Sequence, residues 1–431
     1  MNNNLNATYD FKNIKNGIWL YFILLIFEGA LRKWVLPQFS TPLLLVRDPL
    51  VLYLFFSASY NRIIFFNSYI FYAILIVLIS FTATMLIGHG NIYVAIYGAR
   101  IFLIHFPMIF LIGMVFNRDD VIKMGKVILF ISIPMSLLIS IQFFSPQSAW
   151  VNKGIGESIG GGFSGAMGYM RPPGTFSFTS GVTSFFSLVA VFVLYFWIDT
   201  TKVNRLVLFL ATIALLSAIP FSISRSLLFQ IIISFIFTII GINWVKDNSS
   251  KGIIMIFGFT IIVLFLSLFD LFSIGLEAFS TRLELANKSE GGIESVFLDR
   301  YLGGLINALK SSSSQPFLGY GLGYGTNVGS NILTSKSTFL ISEGEWGRLI
   351  GELGPLLGIG MIMIRILISI KLATWAWKYL IKNEILPWII LSFTLFVLPQ
   401  GGWSQPTSLG FSVLVSGLLI ASFKTKEIIL K

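Results

Sequence analysis

The chain has no cysteine and only two histidines, His89 and His105, in 431 residues. Without cysteine there is no disulfide framework, no thiolate chemistry and no cysteine-ligated metal. Charge is scarce too. Asp, Glu, Lys and Arg make up 11% of the chain against about 25% in a soluble domain, and 55% of the chain is hydrophobic. A chain so composed sets most of its surface against lipid or against other helices. The net charge of +11 does not point to nucleic acid, because most of the basic residues lie in short loops between apolar runs, where they set membrane orientation.

What the chain has is apolar length. A span needs about 20 apolar residues, and runs of that kind start near Gly17, Pro42, Ile63, Asn91, Val121, Phe178, Arg205, Ile223, Gly252, Trp346, Ile385 and Pro406. The expectation is an all-α integral membrane protein of about 12 transmembrane helices, forming a single polytopic domain over residues 1–431. Glu28, Arg32 and Lys33 interrupt the first run and Arg47-Asp48 the second, so these two are open to a reading as short or re-entrant helices buried in protein. The first run is too long for a signal-peptide core and is expected to remain as a helix. No strong internal repeat is visible.

With the N-terminus inside, every inner segment carries Lys or Arg, among them Lys12, Arg62, Arg118, Lys202, Lys246, Lys371, Lys382 and Lys424. The short outer turns 38–41, 88–91 and 399–406 carry none. The positive-inside rule then puts both termini in the cytoplasm. Two outer segments are long. Residues 145–177 are rich in Gly and Pro and predict an irregular loop that folds back to the membrane. Residues 276–344 have room for helices of their own, one of them over 294–310 with apolar residues at helical spacing.

In this orientation Arg32, Arg47, Arg100, Arg171, Arg225, Arg300 and Arg348 all fall near the outer side. A guanidinium at bilayer depth costs roughly 2.5–3.5 kcal/mol on insertion scales. A polyanion explains the cluster, because the planar fork of Arg suits phosphate. Each Arg also has a plainer reading. Arg171, in MRPPGTFSFTS (170–180), is either an interfacial residue or a phosphate ligand held by a stiff Pro pair. Arg225 either snorkels to the headgroups or sits at a helix start with a bound anion. Arg100, deeper in its span and five residues before His105, has an internal pair with Glu28 or Asp48 as its structural alternative.

In SEGEWGRLIGELGPLLG (342–358), Glu343, Glu345, Arg348 and Glu352 crowd one helix start. Capping explains Glu343 and Glu345, and Arg348 has Glu345 and Glu352 at i,i+3 and i,i+4. The functional alternative is a carboxylate acting as general base on a sugar hydroxyl. The run GYGLGYG (319–325) lacks the GxGxxG spacing of a nucleotide loop. It suits a flexible or closely packed backbone better.

Taken with RPPGTF (171–176), SRS (224–226), DRYLGGLINALKSSSSQPFLGYGLGYG (299–325), EGEWGRLIGELGPLLG (343–358), and the opening EGALRKWVLP (28–37) with RDP (47–49), the chain resembles the O-antigen polymerase and ligase superfamily, in a branch associated with exopolysaccharide synthesis. The resemblance implies a GT-C-like polymerase/ligase bundle with a large extracytoplasmic loop, in the bacterial cytoplasmic membrane, with the active site facing outward. It implies a polyprenyl-diphosphate-linked glycan as donor and another lipid-linked repeat unit as acceptor. A chain-length regulator and a flippase of the same pathway are implied partners; no cofactor and no metal are. Arg171, Arg225 and Arg300, with Arg348, Arg47 and Arg100, are the implied substrate-binding residues. Ligases of the superfamily carry an outer-side His as base. Counting back from Glu352–Gly354 puts that position at Glu343, with Glu345 two residues on, so a Glu replaces the His. Polymerisation of repeat units is the function this implies. The alternatives are ligase-type transfer of finished glycan to a lipid or protein, and a flippase or exporter of the same lipid-linked glycan.

Overall fold

Each of the twelve apolar runs is helical in the computed structural model, which describes residues 11–424 apart from 159, 246–248, 291–302, 336–339 and 343. In order these helices are α1 (Lys12–Ala30), α2 (Arg47–Tyr60), α3 (Ser68–Leu86), α4 (Ile92–Arg100) continued by α5 (Phe106–Val115), and α6 (Arg118–Phe144). A hairpin of β1 (Phe163–Ala166) and β2 (Tyr169–Arg171) leads into α7 (Thr179–Ile198), α8 (Arg205–Ser222) and α9 (Arg225–Trp244). Then come α10 (Ser249–Leu266) and α11 (Asp270–Glu290), the short α12 (Gly304–Ser311) and α13 (Asn327–Thr334), and finally α14 (Glu345–Ile381), α15 (Ile385–Gln400) and α16 (Pro406–Ser422).

Among the described residues nine spans are long and apolar enough to cross a membrane. A tenth is formed if α10 and α11, bent by 106° where they meet, count as one; α15 and α16 are shorter apolar helices. The protein is an all-α multi-pass membrane protein. The first two runs, interrupted by charge, are among the full-length spans, over Lys12–Val35 and Pro42–Tyr60.

Local chemistry sets several starts. Asn67 Oδ1 accepts from Tyr69 N and Ile70 N, Asn91 Oδ1 caps α4 in the same way, and Asn117 forms a reciprocal capping box with Asp120 at α6. The third span therefore starts at Ser68, after its Asn cap, and not at Ile63. α7 is central. Nearly all of its side chains are buried, and α6, α8, α9, α15 and α16 pack round it. Phe56, Phe71 and Phe130 point outward instead, as a lipid-facing surface requires.

The two ends of the bundle differ. At one, Lys15 pairs with Asp120 at 2.5 Å, Arg118 with Glu384, and Lys424 Nζ donates to the carbonyl of Met114. The other gathers residues 31–46, 87–91, 145–178, 223–224 and 401–405 with α12, α13 and the glycine-rich run. Segment 145–177 is more ordered than an irregular loop. Met167 and Gly168 both have positive φ, giving the two-residue turn of a twisted hairpin. Tyr169 stacks on Phe143 of α6 at 4.4 Å, and Arg282 of α11 donates to the carbonyl of Gly165.

Candidate functional site

Among the described residues, two buried charge clusters lie at this second end, with cavities beside them. The first cluster grows from π-helical turns, which advance less per residue than an α-helix. One follows α1 at Leu31–Val35, and another joins α4 to α5 at Ile101–His105. In an α-helix Arg100 and His105 would lie about 140° apart. The π turn lets both reach Asp48. Arg100 Nη1 donates to its two oxygens at 2.8 Å, and His105 Nε2 lies 2.9 Å from Oδ1. Glu28 sits between Arg32 (3.4 Å) and Arg47 (3.3 Å). Arg47 also donates to Tyr21 Oη and, at 2.6 Å, to the carbonyl of Pro406.

The segment RPPGTF wraps over the end of α1. Gly174 gives its carbonyl to Lys33 Nζ at 2.6 Å and its N–H to Gln142 Oε1, while Thr175 Oγ1 donates to the carbonyl of Ile26. Gly29 faces the backbone of 175–177 with no room for a Cβ. Arg171 ends β2 opposite Phe163, half-buried. Arg225 opens α9, half-buried, just after Ile223 in the left-handed region and Ser224, whose Oγ caps the helix and bonds Thr183.

The second cluster lies at the start of α14. Arg348 makes both of its helical pairs, with Glu345 at 2.8 Å and Glu352 at 2.7 Å. Sequence reading missed Arg365, whose signal was a lone cation deep in an apolar run. Its Nη1 donates to Glu345 at 2.6 Å, its Nε and Nη2 to the carbonyls of Leu398 and Gly401, and its guanidinium lies 3.9 Å over the ring of Trp403. Glu345 Oε1 thus accepts from two guanidiniums, and Oε2 from Arg348 Nε and Trp403 N. A carboxylate has about four acceptor directions, and here all are used. Glu352, fully buried, takes Arg348 on one oxygen and Gly325 N on the other. Glu343 and Arg300 lie outside the described residues.

The glycine-rich run is closely packed backbone. Gly319, Gly321 and Gly323 have positive φ, Tyr320 N and Gly321 N bond the carbonyls of Gly351 and Glu352, and Leu322 is fully buried with its N–H on Thr84. His89 Nε2 reaches the carbonyl of Leu322 at 3.0 Å. Beside the second cluster opens a cavity of about 570 Å³, walled by α12, Ile341, Ser342, the start of α14 and Gln400. Its polar lining comes from Asn307, Ser311, Gln315, Ser342, Gln400 and Glu345. A smaller one of about 210 Å³ lies between Lys33, Gly154, Ser158, residues 160–163 and Ser177. Among the described residues no group of His, Asp and Glu could hold a metal ion.

No family model and no curated protein matches the chain. Among solved structures, a chain from work titled "Structural coordination of polymerization and crosslinking by a peptidoglycan synthase complex" is similar over 82% of this chain and 96% of that one, with 11% identity and a TM-score of 0.40. A likeness of that degree is too loose to define a shared fold.

Proposed function

We propose that this protein polymerises polyprenyl-diphosphate-linked oligosaccharide repeat units into a surface polysaccharide, in the manner of the O-antigen polymerase superfamily, on the outer face of the cytoplasmic membrane. The observation that carries the reading is the cavity of about 570 Å³ at the start of α14. Its hydroxyl and amide lining suits sugar hydroxyls, and it opens at the same end of the bundle as Arg171 and Arg225. In the proposed reaction the acceptor hydroxyl oxygen bonds to the anomeric carbon as the bond from that carbon to the diphosphate oxygen breaks. A carboxylate takes the hydroxyl proton, the lipid diphosphate departs held by Arg171, Arg225 and Arg300, and the anomeric centre inverts. Guanidiniums stabilise the leaving charge as preorganised donors.

Of the two carboxylates considered for the base, Glu345 has every acceptor direction engaged and positions the helix start. Glu343 is the base in this proposal. Arg348, Arg47 and Arg100 act through the carboxylates they hold.

Purified Glu343→Gln protein, assayed for chain growth on lipid-linked repeat units, is expected to turn over about 10²–10⁴-fold more slowly while still binding donor. Glu345→Gln is expected to lower thermal stability first. Normal polymerisation by Glu343→Gln would remove Glu343 from the mechanism. In a deletion strain, single repeats kept without polymer support the proposal. Unattached polymer would mean a ligase, and lipid-linked units trapped on the inner leaflet a flippase.

A further inference from the structure

The first charge cluster does not balance. Among its described side chains Arg32, Lys33, Arg47 and Arg100 face only two carboxylates, Glu28 and Asp48. With Lys33 charged, the cations outnumber the carboxylates by at least two in a buried setting, where charge without a partner is strongly unfavourable. Arg100 lies directly on Asp48 at 2.8 Å, whereas Arg32 and Arg47 share Glu28 at 3.4 and 3.3 Å; the short bond of Arg47 goes to the carbonyl of Pro406, and those of Arg32 go to the carbonyl of Ser40 and to Ser177 Oγ.

Lys33, only 1% exposed, has one hydrogen-bond acceptor, the carbonyl of Gly174, for an ammonium with three donors. Lys33 and Ser177 both line the cavity of about 210 Å³, along with Ser158 and the backbone of Gly160–Gly162. That is far more than the roughly 10–15 Å³ that one water needs.

We propose that this cavity is an anion site for a phosphoryl group, with Lys33 as its central ligand and Arg32 supporting it through Ser177. A doubly charged phosphate or diphosphate would neutralise the surplus of two. The group belongs either to a polyprenyl diphosphate or to an anionic phospholipid headgroup, whose phosphodiester carries a single charge and would offset only half of the surplus. The proposal stands on charge and cavity, and does not require the polymerase reading.

The test uses the full-length protein in nanodiscs of phosphatidylcholine, titrated calorimetrically with inorganic diphosphate and no glycan present. Wild type is expected to bind saturably. Lys33→Met, which fills the same buried space without charge, is expected to bind about 10–100-fold more weakly, the loss of one charge-assisted hydrogen bond. Ser177→Ala is expected to weaken binding several-fold at unchanged Tm, which keeps the test decisive if Lys33→Met folds poorly. Repeating the titration with phosphatidylglycerol in the disc separates the sources. Competition assigns the site to a phospholipid headgroup, and no competition assigns it to a diphosphate. Equal binding by wild type and both folded variants, or no binding by wild type in either disc, overturns the proposal. Because Arg171, Arg225 and Arg300 are unaltered in these variants, equal binding by wild type and both variants would leave the polymerase reading untouched.

Discussion

Individual guanidiniums at the candidate end do different work. Those of Arg348 and Arg365 are spent on Glu345, Glu352 and the carbonyls of Leu398 and Gly401, so they lock the start of α14 to the loop after α15. Arg171 ends a hairpin pinned to α6, and Arg225 begins a helix pinned to α7 through Ser224. Both positions are rigid, as a residue must be if it is to present a planar fork in register with phosphate oxygens. Arg→Lys at Arg171, Arg225 or Arg300 keeps the charge and loses the fork. Each is expected to cut polymer formation by about tenfold or more at normal expression, measured as chain-length profiles of surface glycan. Full polymer in all three would reduce them to anchors.

At the level of elements, the glycine-rich run acts as a wedge between α4 and α14. Gly98 of α4 faces the backbone of Gly323 so closely that a Cβ would stand 2.3 Å from its nitrogen, and Gly354 breaks α14 where Phe317 crosses. Gly323 has φ of +82°, and a Cβ there would lie 2.2 Å from the carbonyl oxygen of Val94. Gly168 has a similar φ of +79° but open space around it. Gly168→Ala thus measures backbone strain alone, about 1–3 kcal/mol, whereas Gly323→Ala adds a clash with backbone that cannot move aside. The expected order in Tm is wild type, then Gly168→Ala, then Gly323→Ala well below both. Equal losses would mean that the run is loosely held.

For the whole molecule the question is which end faces out. One end carries Lys15, Arg118 and Lys424 in short polar contacts, and we propose from the positive-inside rule that this end faces the cytoplasm. The chain has no cysteine, so single cysteines report without background. Ser313→Cys, exposed just after α12, is expected to react with an impermeant thiol reagent in spheroplasts. Thr201→Cys, exposed between α7 and α8, is expected to react only after permeabilisation. The reverse pattern would invert the assignment and move the proposed chemistry to the other side.

Hydropathy adds along the chain, so the sequence by itself determined the helices, down to the starts at Pro42, Arg205, Ile385 and Pro406. It also determined the i,i+3 and i,i+4 pairs of Arg348, because helical geometry fixes neighbours that near. It could not show that Arg365, twenty residues after Glu345, closes the same network, since that depends on the break at Gly354 and on how α14 packs against α15. Nor could it show that Arg100 and His105 share Asp48, because a π turn leaves no mark in an apolar period, or that GYGLGYG packs as backbone against α4. Which cations were satisfied and which were left over was decided only by the tertiary structure, because a buried charge is defined by what the fold brings within about 4 Å of it.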